Sequence, residues 1–158
     1  MRHGTTNLFA ARTVATGEVI GECRPRRDGE NFLAFLNKAV RPHRGKQVHV
    51  VLDNLATHTT PDVLAWLTAN PHVRFHFTPK GSSWMNQIET WFGIITRQAI
   101  RRGTFSSVRV LIGQIRDYID HWNADAKPFA WTATTDEILA KVQLAQTNIK
   151  KLADNNAK

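Results

Sequence analysis

The run from Val48 to Leu52 halts on Asp53, and that junction constrains the fold more than any other part of the chain. The run is too continuously apolar for a strand buried on one side only, so it predicts a central strand covered on both faces and placed mid-sheet. In open α/β sheets functional groups gather at the carboxyl ends of strands, where a side chain is held rigidly beside a crevice. Asp53 occupies such an end. It either serves a site there or accepts hydrogen bonds from the loop that follows.

The flanking segments supply the rest of such a sheet. "NLFAARTVATGEVIGECRPR" places apolar and β-branched residues on both sides of Thr16 and Gly17, which predicts a hairpin with a tight turn. Behind Asp28, a candidate N-cap, Phe32, Phe35, Leu36, Ala39 and Val40 recur at helical spacing. Thr60 followed by Pro61 opens a short helix that stops at Asn70 and Pro71, and "VRFHFTP" then alternates like a strand.

From Ser83 the sequence predicts a long amphipathic helix with Met85, Ile88, Phe92, Ile95 and Ala99 on its core stripe, ended by Gly103. Ser106 or Ser107 caps a second helix carrying Val108, Leu111, Ile115, Tyr118, Ile119 and Trp122, and "TTDEILAKVQLAQTNIKKL" predicts a third. The order strand, strand, helix, strand, helix, strand, helices reads as an α/β sheet with an antiparallel hairpin on one side.

Charge narrows the partners. The 158 residues carry 21 Lys and Arg against 13 Asp and Glu, a net charge of +8 that favours a polyanion. A single cysteine, Cys23, makes neither an internal disulfide nor a zinc finger. With no apolar run of membrane-spanning length and no secretory signal at the start, the expected location is the cytoplasm, with no membrane partner.

Glu89 is the second carboxylate of interest. With Ile88 at zero and about 100° per residue, Glu89 falls near +100°, at the border of the buried stripe, while Arg97 and Arg101 project from the far side. It is either a boundary glutamate paired with a lysine or arginine, or a group leaning toward whatever the helix packs on. Carboxylates brought together from a strand end and a helix repel unless protonated or bridged by a cation. A hard divalent ion such as Mg2+ resolves this, and a metal pair can clamp the attacking and leaving oxygens of a phosphodiester. Arg97, Arg101, Arg102, Lys80 and Arg109 surround this helix in sequence and are read as phosphate contacts.

Other signals are weaker. His72, Arg74 and His76 share one strand face but lack a third ligand of suitable spacing for a metal, so they are read as a solvated or DNA-facing surface. Trp91, Trp122 and Trp131 are read as core rather than as base-stacking platforms. "GKQ" at 45–47 lacks the flanking glycines and the hydroxyl residue of a phosphate loop.

"RHGTTNLFAARTVATGEVIG", "VVLDNLATH", "HFTPKGSSWMNQIETWFGIITRQAIRRGTF" and "DYIDHWNADAKPFAWTATTDEIL" together resemble the catalytic domain of bacterial transposases of the insertion sequence six-thirty family, relatives of the mariner group. The resemblance covers nearly the whole chain. It implies an RNase H-like α/β fold, a mixed sheet flanked by helices, with a partial DDE catalytic domain over 1–105 and a C-terminal helical extension over 106–158.

By the same resemblance Asp53 matches the second acid and Glu89 the third acid of a catalytic triad that binds two Mg2+ or Mn2+ ions. Asn54 and His58 match residues beside the second acid, and Trp84, Asn86 and Gln87 those leading into the glutamate helix. Asn54, His58, Lys80, Arg97, Arg101 and Arg102 are the expected DNA-binding set. The partners implied are transposon ends and target DNA, in a bacterial, nucleoid-associated setting.

The family's first acid lies on a strand upstream of "RHGTTNLF", and Asp28 does not match its position. The expectation is therefore a sheet lacking its first strand, inactive alone, which seeks a second copy or an upstream transposase segment. Two rivals remain: a regulatory fragment that binds DNA or the transposase without catalysis, and another RNase H-like nuclease.

Overall fold

The computed structural model describes residues 4–79, 86–101 and 103–130, with residues 134, 136, 137, 139, 140, 143, 144 and 147 beyond them. Strands β1 (Asn7–Arg12) and β2 (Val19–Arg24) pair antiparallel, with Asn7 opposite Arg24 and Arg12 opposite Val19. The connection is a six-residue loop, Thr13 to Glu18, rather than a tight turn. Gly17 adopts φ +82° there, and a β-carbon at that position would strike the backbone of Lys127, so both conformation and space select glycine.

Helix α1 (Gly29–Val40) begins where the sequence places it, with the Asp28 carboxylate accepting the Asn31 backbone N–H at 2.9 Å. Phe32, Phe35 and Leu36 are buried. Strand β3 (Val48–Leu52), helix α2 (Pro61–Ala69) and strand β4 (Val73–Phe77) follow, and β3 runs parallel to β4 with Val48 opposite Val73 and Leu52 opposite Phe77. Thr60 has the extended backbone of an N-cap before α2, but its hydroxyl caps nothing.

Here the structure corrects the sequence reading. Among the described residues β3 pairs with β4 alone, and the two ribbons, β1–β2 and β3–β4, are separate two-stranded sheets rather than one mixed sheet. Strand β3 is also covered on one face only: Leu52 is buried, while His49 is exposed and Val51 is 50% exposed. The apolar run misled because a valine on the open face is indistinguishable in sequence from one in the core.

The buried residues form two clusters. Phe32, Leu36, Leu52 and Val63 join α1, β3 and α2, and Phe9 of β1 packs against them beside Val50 and Phe75. The second cluster joins Val19 of β2, Trp91 and Ile95 of α3 (Gln87–Ile95), and Ile115 and Ile119 of α4 (Val108–Ala124). Trp91 is fully buried, and Trp122 lies beside it with its indole N–H donating to the Gly17 carbonyl at 3.0 Å, which bears out both tryptophans as core.

Ser107 caps α4, its hydroxyl accepting the Val110 N–H. Near the end of α4, Asn123 accepts the Val19 N–H and donates to the Val19 carbonyl, both at 2.8 Å, and so holds α4 to β2 as a neighbouring strand would. Of the third expected helix, Asp136, Glu137, Leu139, Ala140, Gln143, Leu144 and Thr147 are helical, Thr134 precedes them outside the helix with its N–H donating to the Glu137 carboxylate, and the remaining positions, with Trp131, lie outside the described residues. Among the described residues no helix is long and apolar enough to cross a membrane.

Candidate active site

Asp53 follows the last residue of β3, and its surroundings are built from the adjacent loop. The Thr78 N–H donates to the Leu52 carbonyl at 2.9 Å, extending the β3–β4 ladder, and the Asn54 side-chain amide donates to the Thr78 carbonyl at 2.6 Å. A single 3-10 turn, Ala56–His58, then swings His58 back toward the strand end. Its Nδ1 stands 3.2 Å from the Asp53 carboxylate and 3.0 Å from the Asp53 carbonyl, and its ring lies against Phe32 with centroids 4.3 Å apart. A proton on Nδ1 therefore bridges two oxygens of one residue. The His58 side chain is only 12% exposed and that of Asp53 29%, so His58 orients the acid while the acid stays open to solvent.

Glu89 belongs to the first turn of α3. Asn86 caps that helix, buried, with its side chain accepting the Ile88 N–H, and the Glu89 N–H bonds the Asn86 carbonyl. The α-helix thus begins at Gln87 rather than Ser83, because Asn86 supplies the cap. Trp84 and Met85 lie outside the described residues, as do Lys80 and Arg102.

The start of α3 is also tied to β1. Arg12, at the end of β1, donates to the Gln87 side-chain carbonyl and to the Lys127 carbonyl, and its guanidinium sits 3.7 Å from the centre of the Phe129 ring. No local pattern announces Arg12 as part of the site, since its partners are 75 and 115 positions away.

Asp53 and Glu89 are linked through electrostatics. The Glu89 carboxyl is pushed above its ordinary range, first by desolvation and then by the negative charge of Asp53. The helix N-terminus favours the ionised form of a first-turn glutamate, and here burial and the like charge outweigh it. Carboxylates near one another form an all-oxygen donor set, the kind that suits a hard divalent cation. Among the described residues no group of three or more His, Cys, Asp and Glu side chains is placed to hold a metal.

Below Glu89 an open groove of about 350 Å³ is lined by Glu89, Phe92, Gly93, Thr96, Arg97 and Arg101. The two arginines were expected on the far side of this helix, yet both line the groove with Glu89. Residues Thr96–Ile100 form a π-helical turn, closed by the Arg101 N–H donating to the Thr96 carbonyl at 2.8 Å. Residues 89, 93, 97 and 101 follow the i, i+4 row of the helix, which drifts by only about 40° per step, and the wider turn after Thr96 reduces that drift between Arg97 and Arg101. A β-carbon on Gly93 would lie 3.3 Å from an Arg97 guanidinium nitrogen, so glycine lets that side chain lie across the helix within the groove.

Residues 1–112 match the model of the DDE superfamily endonuclease, and the chain belongs to that family. An insertion element IS630 protein of 39 kDa from Shigella sonnei is 24% identical over 90 residues, which cover 56% of this chain and 26% of that protein. The chain thus spans about a quarter of the length of the curated relative it matches. Both matches agree with the resemblance to insertion-sequence transposases carried by the sequence blocks.

Proposed function

We propose that this chain is the catalytic portion of an insertion-sequence transposase with an RNase H-like fold, acting on DNA by metal-dependent strand cleavage and strand transfer. What supports the proposal is the placement of Glu89, in the first turn of α3 and within reach of the charge of Asp53 at the end of β3, beside a groove that Arg97 and Arg101 also line. Asp53 and Glu89 would hold Mg2+ or Mn2+. When bound, such ions supply an activated hydroxyl nucleophile and neutralise charge on the phosphodiester.

The chain's own residues do the remaining work. His58 fixes the rotamer of Asp53, Asn54 ties the end of β3 to the residue after β4, and Arg12 anchors the helix start through Gln87. Arg97 and Arg101 offer the DNA backbone two guanidinium groups in the groove that Glu89 lines. His58 and Asn54 thereby act on DNA through Asp53 and the strand end rather than by contact.

The site takes a further ligand and the sheet a further strand, we infer, from a second copy or from an upstream segment of the transposase. Supporting this, the outer edges of β1 and β3 are unpaired among the described residues, although both strands pack on the same cluster through Phe9 and Val50. Sedimentation of the chain alone tests this part: a stable monodisperse monomer with one cooperative thermal transition counts against it.

Catalysis is tested by incubating the chain, alone and with the upstream segment, with supercoiled plasmid carrying the element's ends. Nicking that requires Mg2+ or Mn2+ and disappears in Glu89→Gln supports the enzyme reading. Metal-independent DNA binding without nicking under any of these conditions favours the regulatory fragment, and cleavage indifferent to the terminal sequence favours another nuclease.

A further inference from the structure

The exposed face of the β3–β4 ribbon carries a feature that neither strand shows in its own sequence. His49 stands opposite Arg74, and Val51 opposite His76, so the two histidines are diagonal neighbours across the parallel pair. The Nδ1 of His49 lies 2.8 Å from the Nε2 of His76, and the rings stack with centroids 5.1 Å apart at 26°. Both residues are exposed. Read along β4 alone, His76 lacks a suitably spaced partner; the partner is on β3, 27 positions upstream.

We propose that His49 and His76 form a two-imidazole chelate for a borderline divalent cation of the Zn2+, Ni2+ or Cu2+ kind. Two ring nitrogens already face each other at 2.8 Å. Bonds of about 2.0 to 2.1 Å in tetrahedral geometry place two nitrogens about 3.3 Å apart, so a small rotation of two exposed rings admits the ion. The nitrogen that carries the proton in the present contact passes it to the other nitrogen of its own ring, and both imidazoles bind neutral.

Imidazole nitrogens select this class of ion over Mg2+, which takes oxygen ligands. His49 precedes Asp53 by four strand residues, about 13 Å at about 3.3 Å each, while His76 pairs with Val51, two residues before Asp53, so the test must separate the pair from the acids. No third protein ligand joins them among the described residues, and Arg74 stands opposite His49, so binding is weak enough to depend on the free concentration of the ion. Bound there, the ion ties β3 to β4 across the open face.

The test is calorimetric titration of the full chain with Zn2+ in excess Mg2+, which occupies carboxylates without competing for imidazoles. One Zn2+ per chain is expected, retained in Glu89→Gln and in His72→Ala, and weakened at least about tenfold in His49→Gln and in His76→Gln. Binding as tight as the parent's in either histidine variant, or loss in Glu89→Gln, overturns the assignment. Should a variant fail to fold, electron paramagnetic resonance of the unaltered chain with Cu2+ decides instead. Coupling to two imidazole nitrogens supports the chelate, and an all-oxygen signal overturns it.

Discussion

Trp91 makes an experiment whose outcome can be worked from the structure. Its side chain is fully buried, with the rings of Phe92, Tyr118 and Trp122 at 5.6, 6.4 and 6.3 Å, and among the described residues its indole N–H has no hydrogen-bond partner. Removing roughly 200 Å² of apolar surface at about 25 cal/mol per Å² costs about 5 kcal/mol. Lost aromatic contacts add to that, while deleting an unpaired buried donor returns about 1 to 3 kcal/mol. Trp91→Ala is therefore expected to destabilise by about 3 to 5 kcal/mol, a large part of the total for a domain of this size. Trp91→Phe keeps most of the ring and also removes the N–H, so gain and loss nearly cancel and the change is within about 1 kcal/mol. Urea denaturation followed by far-ultraviolet circular dichroism measures both. If Trp91→Phe costs as much as Trp91→Ala, the N–H is satisfied in solution and the reasoning from its isolation is wrong.

Four further outcomes follow from the same structure. Asn123→Ala strands the buried N–H and carbonyl of Val19 and is expected to cost about 2 to 4 kcal/mol in the same denaturation assay; Asn123→Asp, which keeps the acceptor, costs less. Because the Glu89 carboxyl is raised in the folded chain, its contribution to stability is full below the ordinary glutamate range and is lost as pH rises through its raised value. Without metal, urea midpoints should fall over that interval in the parent and not in Glu89→Gln, and Mg2+ at neutral pH should recover the loss. His58→Ala frees the Asp53 carboxylate to rotate and should weaken Mn2+ binding about 10- to 100-fold, read by calorimetry. Arg97→Gln and Arg101→Gln should each flatten the dependence of log K on log salt by about 0.9 for duplex DNA in EDTA, with no change in slope if the arginines never meet phosphate.

The parts of this fold that were legible in sequence are those fixed by neighbours in the chain. Asp28 caps α1 because a carboxylate three residues before Asn31 can reach its N–H, and Ser107 caps α4 by the same local reach. The burial of Trp91 and Ile95 followed from a helical period. Asp53 and Glu89 could be singled out one by one, as a strand-end acid and a boundary glutamate. What no period encodes is the π-turn at Thr96–Ile100, nor that the long side chains of Arg97 and Arg101 reach along an i, i+4 row into the groove that Glu89 lines. Equally hidden are the links between Arg12 and Gln87, Val19 and Asn123, and His49 and His76, because each joins residues brought together only by tertiary packing.

The charges of the groove make a consistent physical case for an external ligand. Glu89, Arg97 and Arg101 line one groove, yet among the described residues none of the three enters a salt bridge. A glutamate satisfied by a neighbouring guanidinium would have its carboxyl lowered, and this one is raised, by desolvation and then by the charge of Asp53. The arrangement therefore separates its signs: negative groups meet at the end of β3, and positive groups follow along the ridge of α3 and the π-turn. A cation alone relieves the acids but leaves the arginines unserved, and a simple anion does the reverse. A polyanion that carries its own divalent counterions answers both at once, which is the physical argument behind the proposal of DNA with Mg2+ as the ligand of this groove.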